Sequence, residues 1–138
     1  GPSPCPFVCL ESGAQTRREC QAVQLGEYVE ATRGAAAPTI VTGDFNADPG
    51  SFEYHSLVGR GWSDAYLAAG NPECDPTSGV GCTSGRQDEN LSDLESPLSN
   101  EVERIDYVFF RGPLRAAESA LTSSLASTTL KDVASAIT

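Results

Sequence analysis

The chain has 138 residues, 39% apolar and 20% charged, a balance that excludes a disordered polymer and suits one loop-rich globular domain. No apolar run approaches the ~18 residues of a bilayer-spanning helix, so a transmembrane helix is excluded. The net charge of −10, from 9 basic and 19 acidic residues, argues against a basic nucleic-acid groove. It leaves open an acidic enzyme that grips phosphate through a divalent cation, because the metal supplies the positive charge.

Residues 1–14, rich in Pro, Ser, Gly and Cys, read as an irregular lead-in. The chain opens Gly1-Pro2-Ser3-Pro4 without a signal peptide and contains no Met, so a processed or incomplete chain is expected. Residues 15–33 predict a helix. Ala22, Val23, Leu25, Tyr28 and Val29 form its apolar face, Arg17, Arg18, Glu19, Glu27 and Glu30 its wet side, and Gly34 its stop. Thr39-Ile40-Val41-Thr42 is a β-branched run and reads as a buried strand. It ends in Gly43-Asp44-Phe45-Asn46-Ala47-Asp48-Pro49-Gly50. Ser51 caps a short predicted helix through residue 60, with Phe52, Leu57 and Val58 inward and His55, the only His, as a surface or packing residue. Trp62 to Leu67 reads as extended. Residues 70–103 form a long polar loop, of the length that is usually functional. Arg104-Ile105-Asp106-Tyr107-Val108-Phe109-Phe110 is a second strong strand, broken by Arg111-Gly112-Pro113, and residues 114–130 are expected to hold another. Alternating helix and strand with long loops argue a mixed α/β layer structure.

Five Cys stand at positions 5, 9, 20, 74 and 82. Their spacing and the lack of neighbouring His argue against zinc. Cys74 and Cys82 bracket a turn-rich loop that a bridge would stiffen. Cys5, Cys9 and Cys20 can hold a second bridge and leave one thiol, an arrangement that implies export to an extracellular setting. Five free thiols are the alternative. The sequon Asn90-Leu91-Ser92 matters only in a eukaryote. The ratio of eight Arg to one Lys points to a GC-rich, bacterial genome.

Two motifs carry chemistry. Gly43-Asp44-Phe45-Asn46 sets a carboxylate and a carboxamide two residues apart where a strand gives way to a loop. If the strand runs on, both side chains point the same way. A carboxylate that accepts a proton beside an amide that fixes geometry suits a water attacking a metal-bound phosphate. An Asp/Asn turn is the plain alternative. Asp44, Asn46 and Asp48 mimic the start of an EF-hand, but Pro49 and His55 stand where Gly and Glu are required, so that reading is rejected. Asp106 lies inside an apolar strand and needs a partner, either a His or Arg104 two residues before it.

The order strand–GDFN, a Thr-containing loop, then RIDYVF resembles the endonuclease/exonuclease/phosphatase superfamily over roughly residues 15–112. The helix carrying Arg17-Arg18-Glu19-Cys20-Gln21 fits the same pattern. The resemblance implies a two-layer β-sandwich flanked by helices, an α/β (α+β sandwich) fold of which this chain holds the second half. Residues 15–138 would be the C-terminal portion of that domain. It implies a metal-dependent phosphoesterase, a nuclease or phosphodiesterase, using Mg²⁺ or alternatively Mn²⁺ or Ca²⁺ on a phosphate ester or nucleic acid. Asp44 matches the Asp that positions the attacking water near the metal. Asn46 matches the Asn of the scissile phosphate and metal shell, Asp106 the Asp that orients a catalytic His, and Thr83 the Thr of the preceding loop. The departures are as specific. The first half's Asn, Glu and His have no counterpart before residue 15. Lys131-Asp132-Val133 stands nearest the family's Ser-Asp-His, and Val133 cannot do the work of His. Little activity is therefore expected of this chain alone. Either a second chain or a further half completes the sandwich, or the protein is a non-catalytic relative acting as a binding or structural module.

Overall fold

The computed structural model describes residues 7–34, 36–85 and 102–120. The lead-in is not wholly irregular: helix α1 spans Phe7–Glu11. Cys9 is fully buried and bridges to Cys20 with Cα atoms 5.2 Å apart, which ties α1 to the next helix. That helix, α2, spans Arg17–Arg33. Thr16 starts it with a reciprocal cap: its hydroxyl accepts from Glu19 N at 3.2 Å, and its own N–H donates to Glu19 Oε2 at 2.9 Å. Gly34, at φ 75°, ends it.

The buried face of α2 carries Cys20, Ala22, Val23, Gly26 and Val29. Tyr28, expected on that face, is 68% exposed. It stands one residue, about 100°, from Val29, beyond the arc that the packing covers. The helix surface turns inward at Gly26 instead. A Cβ there would sit 2.6 Å from Arg60 Cδ, so the missing side chain admits the Arg60 stem. Arg60 then pairs with Glu27 at 2.7 Å and Glu30 at 3.0 Å.

Three antiparallel strands follow: β1 Thr39–Asp44, β2 Ser63–Asp64 and β3 Asp106–Arg111, in the order β1-β3-β2. Between them lie helix α3, Phe52–Val58, capped by the Ser51 hydroxyl accepting from Tyr54 N, and helix α4, Ala65–Ala68, capped by Asp64. The 62–67 stretch is thus a two-residue strand and a helical turn rather than one extended segment. Val58 is 38% exposed, whereas Tyr54 and Leu57 supply the buried face of α3. His55 is exposed on this helix. The described residues of 112–120 form no strand.

Pleating gives the sheet two unlike faces. Tyr107 and Phe109 of β3, with half-buried Val41 of β1, pack against Val29, Tyr54, Leu57 and Trp62. The ring centroids of Tyr107, Phe109, Tyr54 and Phe45 lie 5.1–5.7 Å apart where they touch, within the range of favourable aromatic pairs. The opposite face carries Ile40, Thr42 and Asp44 in register with Phe110, Val108 and Asp106. Ile40 is 61% and Val108 45% exposed. The 39–42 strand is therefore not buried on both sides: helices cover one face, and the other is open among the described residues. The architecture is mixed α/β, helices on an antiparallel sheet. Cys5, residues 86–101 with the sequon, residues 121–130 of the expected strand, and Lys131-Asp132-Val133 lie outside the described residues.

Candidate active site

β1 ends at Asp44 and β3 begins at Asp106, and the two are register partners. Residues directly opposite on antiparallel strands share a face with Cα atoms about 4.5–5.5 Å apart. Both carboxylates are exposed, and both line a groove of about 320 Å³ that Thr83, Tyr66 and Ser119 also border. Asp44 Oδ1 accepts from Asn46 N at 2.8 Å. Its Oδ2 and the whole Asp106 carboxylate have no protein partner among the described residues.

The GDFN loop is held from beneath and from the side. Phe45 N donates to Ile105 O at 2.8 Å, extending the ladder by one bond, and the Phe45 ring packs edge-on against Tyr107 and Phe109. The Tyr107 hydroxyl lies 2.7 Å from Ala47 O and 2.6 Å from Arg104 O, tying the loop to the entry of β3. Burial holds that phenol well above its usual range. Asn46 adopts φ 47°, in the left-handed region that Asn tolerates. The strand does not run on through it, so alternation does not carry its side chain to the Asp44 side, and Asn46 does not border the groove. Arg18 of α2 donates to Asn46 O, fixing this turn. Asp48 serves the next turn: its Oδ1 accepts from Gly50 N at 2.6 Å and its carbonyl from Ser51 Oγ at 2.7 Å, which launches α3.

Thr83 comes to Asp106 from a disulfide-closed loop. Its Oγ1 accepts from Ile105 N at 3.0 Å and Asp106 N at 3.2 Å. Both acceptor positions are then used and the O–H is left to donate. Cys74 and Cys82 are bridged, with Cα atoms 4.7 Å apart. The two bridges suit an oxidising compartment.

Arg104 is not the partner of Asp106. It precedes the strand, so alternation does not reach it, and its side chain is 1% exposed. Its guanidinium meets Glu73 through Nε and Nη2, both at 2.7 Å, and lies 2.7 Å from Asp64 Oδ2 through Nη1. The Tyr107 ring centroid stands 4.8 Å away. Asp106 itself is not buried, so the expected cost of burying it does not arise. Asp64 and Glu73 escaped the sequence reading; the sole hint was an Arg beginning an apolar run, which needs a buried anion. Hydrogen bonds from Arg104 hold the Glu73 carboxyl below its usual range. Burial, with Asp64 beside it, pushes the Tyr54 phenol up to about 12; its hydroxyl donates to Asp64 Oδ2 at 3.0 Å.

No group of three His, Cys, Asp or Glu gathers among the described residues. The two carboxylates that line the groove are hard oxygen donors. They suit Mg²⁺ or Mn²⁺, which commonly takes one or two carboxylates and completes its shell with water and phosphate.

A family model for the endonuclease/exonuclease/phosphatase family matches residues 3–127. No curated protein and no solved structure gives a significant match. The match spans both motifs and the Thr83 loop between them, and members of this family act on phosphoester or nucleic-acid substrates and generally depend on a divalent metal. The chain belongs to the endonuclease/exonuclease/phosphatase family.

Proposed function

We propose that the groove between Asp44, Thr83 and Asp106 is the cation- and phosphate-binding part of a divalent-metal phosphoesterase site. The observation that carries this reading is the pair of carboxylates set directly opposite each other across β1 and β3, with no cationic side chain among the described residues between them. Like charges so placed are destabilising unless a cation lies between them. When bound there, Mg²⁺ or Mn²⁺ polarises a phosphoryl oxygen and stabilises the leaving oxygen.

The chain's own residues have separable roles. Asp44 holds its Oδ1 on the Asn46 N–H and offers Oδ2 to a water, orienting it and accepting its proton. Asn46, which the family resemblance matches to the scissile phosphate and metal shell, does not border the groove, so the phosphate contact falls to Thr83. Thr83 donates its free O–H to a phosphate oxygen. Asp106 faces the cation with one carboxylate oxygen and orients a His with the other. The only His of the chain, His55, is exposed on α3 and does not border the groove. The chain alone therefore binds better than it turns over. Ile40 and Val108, exposed on the same sheet face, give a second layer an apolar surface to cover, as in two-sheet packing. The two cysteine bridges support an exported protein.

The test is Mn²⁺-dependent binding of a simple diester, dimethyl phosphate, followed by phosphorus relaxation. Protein-dependent broadening that disappears in Asp44→Asn is expected, with bis(p-nitrophenyl) phosphate hydrolysis staying near its EDTA background. No protein-dependent broadening would overturn the reading.

A further inference from the structure

Six links close a ring around the entry to β3. Arg104 makes two hydrogen bonds to Glu73, each 2.7 Å. Glu73 is bonded to Cys74, and Cys74 is bridged to Cys82. Cys82, fully buried, is bonded to Thr83, and Thr83 Oγ1 takes the N–H groups of Ile105 and Asp106. Ile105 leads back to Arg104. The ring thus grips the backbone on both sides of one bond, immediately before the Asp106 carboxylate.

The rest of the loop is built to be stiff. Asp75 N donates to Val80 O at 2.9 Å, Gly79 N to Asp75 O at 2.8 Å, and Ser78 Oγ to Asp75 Oδ2 at 2.6 Å. Gly81, at φ 79°, lets the chain pass against Tyr66: a Cβ there would lie 3.0 Å from the Tyr66 hydroxyl. The Arg104 guanidinium is also fixed from the far side by Asp64, the cap of α4. Glu73 is the one exposed member of the ring's ion pair, with 41% of its side chain accessible against 1% for Arg104. An exposed carboxylate contributes little as a surface charge. Its two bonds to a buried guanidinium fix the loop where it leaves the ring, and they match planar fork to carboxylate.

We propose that this ring positions Asp106 and Thr83 for the phosphate site, with Glu73 and Arg104 as positioning residues and the Cys74–Cys82 bridge as the covalent segment. The inference deepens the reading of Asp44, Thr83 and Asp106 as the cation- and phosphate-facing groups and rests on it. Opening the ring at either closure releases Thr83 from the two N–H groups and lets Asp106 leave its register position opposite Asp44, without dismantling the helix-covered core.

The experiment is residue-resolved amide exchange on the full chain, on Glu73→Gln, and on Cys74→Ser/Cys82→Ser, which leaves the Cys9–Cys20 bridge intact. The Ile105 and Asp106 amides are expected to exchange about tenfold faster in both variants, on the scale of one lost hydrogen bond. Phe109 in the central strand should keep its wild-type rate, and the Asp106 carboxyl carbon resonance should shift while that of Asp48 stays. Unchanged Ile105 and Asp106 rates in both variants would overturn the proposal. So would an equal acceleration of Phe109 and Val29, the mark of a bridge and ion pair that serve only global stability. None of these readouts involves metal or substrate, so the ring can fail while metal binding by Asp44 stands, and the reverse.

Discussion

Asp44 and Asp106 face each other without a protein cation to share. Replacing one with its neutral isostere removes that repulsion. Asp106→Asn is therefore predicted to raise the metal-free chain's stability by about 0.2–1 kcal/mol in urea titration, the range of a cross-strand pair. Tyr107 makes a different demand. Its hydroxyl spans Ala47 O and Arg104 O, and Tyr107→Phe removes the one O–H donor that these two carbonyls share. A loss of about 1–3 kcal/mol is expected by the same method, with the GDFN loop the first segment to lose amide protection. The place of Asp44 was legible in the sequence because a short motif at a strand end reports its own geometry, whereas Asp106 read as lying inside an apolar strand and stands exposed at the start of β3. The Asn46 conformation was not legible, since a left-handed residue breaks the alternation that the motif suggested. Nor was the Arg104 partner, because Glu73 stands 31 residues away and only the folded loop brings it near.

Helix α2 was legible because its boundaries are written locally: Thr16 and Glu19 cap each other, and Gly34 leaves the right-handed region. Thr16→Ala should lower stability by about 0.5–2 kcal/mol, the cost of losing a cap, read from the urea midpoint. The elements that the sequence hid are those made by their surroundings. Helix α1 is five residues long and is held by a bridge to α2. Strand β2 is two residues long and exists only through its pairing with β3. Strand β1 read as fully buried because Ile and Val run together in it. Only the sheet order shows that Val41 turns to the core and Ile40 away from it.

At the scale of the molecule, charge and burial set the pH range. The Glu73 carboxyl is held below its ordinary value of 4.5 by Arg104. A depressed acid stabilises the fold fully above that value and loses the contribution as pH falls through its folded value. Tyr54 acts at the other end. Its phenol is raised from 10.0 to about 12, so its contribution is complete below 10 and is lost as pH climbs towards 12. Thermal unfolding across pH is predicted to show both limbs, with Glu73→Gln removing part of the acid limb and Tyr54→Phe part of the alkaline one. The mixed α/β class followed from alternating helix and strand patterns, and the family from the order of two motifs along the chain. The asymmetry of the sheet did not, because it depends on which elements lie over each face.

In the proposed reading, Asp44 and Asp106 form one cation site at the end of β1 and β3. Calorimetric titration of Mn²⁺ into the full chain, Asp44→Asn and Asp106→Asn measures it. A saturable heat is expected for the wild-type chain and its loss in Asp44→Asn, with clear weakening in Asp106→Asn. Absence of binding to the wild-type chain, or equal binding by all three, would contradict it.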